Sequence, residues 1–170
     1  YAVLEVTSEG AVQNRHLFLA MDALVFTNLQ REHIESHGGM DAYARAKFRL
    51  GQALATSPKR PRAIIANSDS EYAKLYLALP VETKLPFGLG DAANISYRNE
   101  SVSFTYEGVS FDIPQPGEFS VRNALAAIKT AAWLGVPVEK SAEALHNLTR
   151  IPGRAEKIEE GQDFLAVVDY

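Results

Sequence analysis

Asp22-Ala-Leu-Val-Phe-Thr27 is apolar at consecutive positions, and Arg62-Ala-Ile-Ile-Ala66 repeats the pattern. A strand apolar on both faces needs cover on both faces, which is the condition of a strand inside a parallel sheet. Helical spacing fills the intervals: residues 40–55 read as one helix, and residues 70–79 as another, stopped by Pro80. Residues 2–6 read as a further buried strand, and residues 12–20 are helix-compatible. This alternation predicts an α/β fold, a mostly parallel Rossmann-like sheet flanked by helices.

The pattern changes after residue 93. Residues 94–97, 101–106 and 109–113 are short and roughly alternating, with Glu107-Gly108 supplying a hairpin turn, and predict a small antiparallel meander. Pro114-Gln-Pro-Gly117 closes it. A helix is expected over 120–134, with Gly135 as its stop and Pro137 beyond, then another over 139–148. Ile151-Pro-Gly-Arg154 reads as a linker before two strands at 156–159 and 165–170. Both ends fall inside apolar runs, Tyr1-Ala-Val-Leu-Glu-Val6 and Phe164-Leu-Ala-Val-Val-Asp-Tyr170, so the chain is expected to be a length cut from a longer one.

Several function classes are disfavoured. A net charge of -4 offers no basic footprint for nucleic acid. No apolar run approaches the roughly 20 residues that cross a bilayer, so membrane insertion is not expected. With no cysteine there is no disulfide framework and no thiolate metal site, which suits a cytoplasmic protein. No G-x-x-x-x-G-K-[ST] phosphate loop occurs; Gly88-Leu-Gly90 is the nearest glycine pair. H-E-x-x-H and G-x-S-x-G are absent as well.

Ligands of open α/β sheets bind beyond the carboxyl ends of the strands. Three polar clusters are expected there: Glu5 with Thr7-Ser8, Thr27-Asn28 with Glu32-His33, and Asn67 with Asp69. Each alone is ordinary turn chemistry, and their convergence is what suggests a site. Lys47 stands out. It shares the spacing of Met40, Tyr43, Leu50 and Leu54, an inward stripe, while Arg45 and Arg49 point elsewhere. Such a lysine either snorkels its ammonium to water or, partly desolvated, becomes a neutral amine that carbon dioxide can convert to a carbamate. A carbamate is a carboxylate on a long stem, suited to Mg²⁺.

Leu4-Glu-Val-Thr-Ser-Glu-Gly-Ala-Val-Gln-Asn-Arg15, Phe26-Thr-Asn-Leu-Gln-Arg-Glu-His33, His37-Gly-Gly-Met-Asp-Ala-Tyr-Ala-Arg-Ala-Lys47, Gly117-Glu-Phe-Ser-Val-Arg-Asn-Ala-Leu-Ala-Ala127, Pro152-Gly-Arg154 and Val167-Val-Asp-Tyr170 resemble the Mur ligases, most closely the MurE type. The resemblance implies a three-domain parent. Residues 1–151 would be its central ATPase domain without the phosphate loop, and 152–170 a linker and the start of the C-terminal domain. It implies ATP and Mg²⁺ as cofactors. It implies UDP-N-acetylmuramoyl-dipeptide and an amino acid, diaminopimelate or lysine, as partners in peptidoglycan synthesis.

By the same resemblance, Glu5 and His33 would be magnesium ligands, and Lys47 the carbamylated lysine that helps to hold a second magnesium. Thr7, Ser8, Gln13 and Arg15 would meet the UDP-muramoyl-dipeptide. Asn123 would meet adenine, Arg154 the ATP phosphates and Asp169 the ribose. The implied reaction phosphorylates the substrate carboxylate, and the amine of the amino acid then displaces phosphate to give an amide. Thr7 stands where serine is usual and Glu9 where histidine is common; Glu35-Ser36 replaces a frequent Asp-Tyr. Taken by residue type alone, Asn123 would serve as a local helix-cap partner, Arg154 would pair with a nearby carboxylate such as Glu156, and His33 would be solvated. The alternatives are a folylpolyglutamate synthase-like ligase and a binding module of the same fold without catalysis. The chain alone is expected to be inactive.

Overall fold

A computed structural model describes residues 1–29, 38–148, 151, 153, 154 and 156–169. His33, Pro152 and Tyr170 lie outside the described residues. The chain divides into two compact units, Tyr1–Phe87 and Gly88–Tyr170.

The first unit is α/β. A short helix α1 (Ser8–Val12) precedes strand β1 (Ala23–Phe26), helix α2 (Met40–Thr56), strand β2 (Ala63–Asn67), helix α3 (Ala73–Leu77) and strand β3 (Thr83–Phe87). The three strands form a parallel sheet in the order β1-β2-β3. Central β2 is buried at every position, as its unbroken apolar run requires. Phe26, Tyr43, Leu54, Ile64, Tyr76 and Leu79 build the core. The rings of Phe26 and Tyr76 stack at 4.1 Å, and Phe48 meets Tyr76 edge-on at 5.4 Å. On α2 the expected stripe holds: Tyr43, Leu50 and Leu54 are buried.

A buried arginine locks the amino ends of the strands. Arg62 Nε and Nη2 donate to the Glu82 carboxylate at 3.1 and 2.8 Å, and Nη2 also donates to the Pro80 carbonyl at 2.9 Å. Its Nη1 donates to the carbonyl of Ala55, near the carboxyl end of α2. The guanidinium thus occupies the Ala55 carbonyl, one of the last four of α2 that have no partner within the helix.

Three expectations are corrected. Residues 2–6 are not a buried strand: residues 1–7 carry no regular structure, and Tyr1, Val3 and Leu4 are exposed. An apolar run becomes a strand only beside a partner, and the sheet ends at β1. The helix expected over 12–20 lies earlier, at Ser8–Val12. Thr7 starts it, its Oγ1 accepting the Gly10 N–H at 3.0 Å, and left-handed Asn14 (φ 59°) ends any continuation. Strand β3 was not expected at all. Pro86 obscures it, yet proline is tolerated on an outer strand.

In the second unit, β4 (Ala93–Tyr97), β5 (Val102–Tyr106) and β6 (Val109–Ile113) form the expected antiparallel meander. Glu107 (φ 48°) and Gly108 (φ 80°) make its turn, both left-handed as a two-residue hairpin of matching twist requires. Phe104 and Phe111 lie opposite each other and stack at 5.0 Å. Helix α4 (Glu118–Trp133) buries Val121, Leu125 and Ile128, and ends before left-handed Gly135. Helix α5 (Val138–His146) and an antiparallel pair, β7 (Glu156–Ile158) and β8 (Ala166–Val168), complete the unit. Lys129 of α4 pairs with Asp91 at 2.9 Å. No helix among the described residues is long and apolar enough to cross a membrane.

Candidate functional site

At the carboxyl edge of the parallel sheet the clusters after β1 and β2 meet, whereas Glu5 and Thr7-Ser8, expected there too, follow no strand of this sheet. Asn67, the last residue of β2, is buried. Its Nδ2 donates to the Thr27 carbonyl at 2.8 Å, and its Oδ1 accepts the Asp69 N–H at 3.1 Å. One side chain therefore ties the exit of β1 to the loop after β2. Asn67 thus has a positioning role that its residue type alone could not announce.

Helix α2 carries Lys47 half-buried beside the core stripe. Burial lowers its pKa, and the Glu5 carboxylate, near enough to act on it electrostatically, partly opposes that shift. Among the described residues no hydrogen bond or ion pair holds the Lys47 amine. Glu5 itself is exposed on the segment before α1. No group of three or more His, Asp or Glu placed to hold a metal occurs among the described residues. Glu5 and Lys47 are brought together, whereas the third proposed ligand, His33, lies outside them. A lysine ammonium cannot bind a cation. A carbamate at the same Nζ could, because its oxygens are hard donors of the kind Mg²⁺ accepts.

Thr7 and Ser8 open α1, with Ser8 buried and Thr7 exposed. The Thr7 hydroxyl oxygen is engaged in capping, and its proton has no acceptor among the described residues. Gln13 caps the carboxyl end of α1 and Arg15 follows within the turn, both exposed. The four therefore lie on one short helix and its flanks.

The other three candidates lie in the second unit. Asn123 is exposed in the second turn of α4, because that helix begins at Glu118 and not at residue 120. The local-cap reading of Asn123 falls with that boundary. Arg154 is exposed in the turn before β7, and its N–H donates to the Ile151 carbonyl at 3.0 Å. The Glu156 carboxylate there accepts the Gly153 N–H at 2.8 Å. Asp169 is exposed just after β8.

Comparison with known proteins gives these arrangements a context. The Mur ligase middle domain family matches residues 1–131. The chain is 37% identical over its whole length to the UDP-N-acetylmuramyl-tripeptide synthetase of Roseiflexus sp. (strain RS-1), and spans 37% of that protein. It is 32% identical over 99% of its length to the UDP-N-acetylmuramoyl-L-alanyl-D-glutamate--2,6-diaminopimelate ligase of Listeria monocytogenes serotype 4b (strain F2365), spanning 37% of it. A solved structure of a ligase of that same description superposes with a TM-score of 0.75 at 29% identity, covering 97% of this chain and 36% of the other. The chain thus spans little more than a third of the length of the relatives it matches.

Proposed function

Because the chain belongs to the Mur ligase family through its middle domain, we propose that it is part of an ATP-dependent ligase that adds the third amino acid to UDP-N-acetylmuramoyl-L-Ala-D-Glu. Residues 1–151 supply the central domain, and residues 152–170 lead into the domain that brings the amino acid. Identity over the whole chain to a tripeptide synthetase supports this reading over a folylpolyglutamate synthase-like ligase or a binding module without catalysis.

The placement of half-buried Lys47 on the inward side of α2, within electrostatic reach of Glu5, carries the proposal. A lowered pKa leaves more of the amine neutral near neutral pH, and only the neutral amine attacks carbon dioxide. The new N–C bond forms as a proton leaves the nitrogen, giving a carbamate anion. Glu5 and His33 would hold one magnesium and the carbamate would help to hold a second, and magnesium when bound neutralises charge on a transferring phosphoryl group. Thr7, Ser8, Gln13 and Arg15 would orient the muramoyl substrate through hydroxyl, amide and guanidinium donors. Asn123, Arg154 and Asp169 would hold ATP at its adenine, phosphates and ribose. Cytoplasmic location follows from the nucleotide substrates.

In an enzyme containing this domain, Lys47→Ala should lower turnover by about 100-fold or more, with partial rescue by added short carboxylates. Carbon NMR with labelled bicarbonate should show a carbamate signal that the variant lacks. Full activity in Lys47→Ala would show that Lys47 serves solubility and not catalysis.

A further inference from the structure

Arg45 and Arg49 sit one turn apart on α2, off its buried stripe. With Val12 of α1, Ala46, Phe48 and Gln52 they line an open groove of about 520 Å³. Arg60, Arg62, Arg98 and Arg122 each meet a carboxylate. Among the described residues no carboxylate reaches Arg45 or Arg49. The one hydrogen bond that Arg49 makes there is long, from Nη1 to the Val12 carbonyl at 3.4 Å. Two like charges on adjacent turns repel, and this pair does so in a chain whose net charge is -4.

We propose that this groove binds a small molecule bearing an oxyanion, phosphate or carboxylate, joined to an apolar portion. Paired guanidinium forks match the oxygens of such groups, and the ligand would relieve the repulsion between them. Val12, Ala46 and Phe48 form the wall for the uncharged part, and the Gln52 amide offers a donor and an acceptor at the rim. An anion at Arg49 competes with the Val12 carbonyl, so occupancy reaches the end of α1, the helix that Thr7 caps. The site uses none of the residues assigned to the ligase reading, and the two stand or fall separately.

Amide NMR spectra of the 170-residue chain, titrated at low salt with pyrophosphate and separately with glutarate, test this. Shifts concentrated at Val12, Ala46 and Gln52 are expected. Arg45→Gln and Arg49→Gln should each weaken binding about tenfold. Tighter binding of pyrophosphate assigns the site to phosphates, and the reverse order to carboxylates. No shift up to about 10 mM of either anion, a millimolar ceiling that already corresponds to feeble binding, overturns the proposal. Shifts that survive both substitutions overturn it too. Both arginines are exposed, so each variant should melt like the parent. If one does not, the wild-type shift map decides alone.

Discussion

Glu82 illustrates how much one residue can owe to another. Hydrogen bonds from the Arg62 side chain, then from the Arg62 N–H, hold its carboxyl down to about 2. In the unfolded chain it titrates near 4.3. The folded value is the lower one, so the stabilisation is complete above about 4.3 and is lost as pH falls through the window towards about 2. Urea midpoints measured across that window should fall more steeply for the native chain than for Glu82→Gln. Equal slopes would refute the linkage. At this scale the sequence was only partly legible. Lys47 announced itself by falling on an apolar stripe, and its half-buried place agrees with that spacing. Asn67 was flagged only as a polar residue after its strand and Arg62 not at all, because their roles are set by carbonyls of other elements, those of Thr27 and of residues 55 and 80.

Both long helices begin at a glycine that no side chain could replace without strain. Gly39 (φ 136°, ψ 165°) starts α2 and Gly117 (φ 90°, ψ 160°) starts α4. Neither helix has a side-chain cap, so the backbone turn alone sets its entry. A Cβ on Gly117 would also fall 2.7 Å from the Phe119 ring. Gly117→Ala should therefore cost about 1–3 kcal/mol, read by chemical denaturation. A neutral result would mean that the turn relaxes freely. Elements whose signal is local were readable: the meander with its Glu107-Gly108 turn, the α2 stripe and the stop at Gly135. Elements that depend on neighbours were not. Residues 2–6 have strand composition but no partner strand among the described residues, and β3 hides behind Pro86 while pairing well with β2.

At the scale of the molecule, the candidate residues are shared between two units, with Glu5, Thr7, Ser8, Gln13, Arg15 and Lys47 in one and Asn123, Arg154 and Asp169 in the other. The segments up to residue 131 were legible as motifs of the family that matches there, whereas Arg154 and Asp169 lie beyond the matched range. The 170-residue chain has no glycine-rich loop to cradle the β and γ phosphates of ATP. Incubated with ATP, a UDP-muramoyl-dipeptide and an amino acid, it should release no ADP above the enzyme-free rate; sustained release would contradict the assignment of its role. The central position of β2 has a consequence of another kind. Its residues are buried throughout, and strands pair with it on both sides, so its amide protons can reach solvent only when the first unit opens as a whole. Deuterium uptake at residues 63–67 should then be the slowest in that unit and should report its full unfolding free energy, while residues 1–7 exchange at nearly the rate of free peptide.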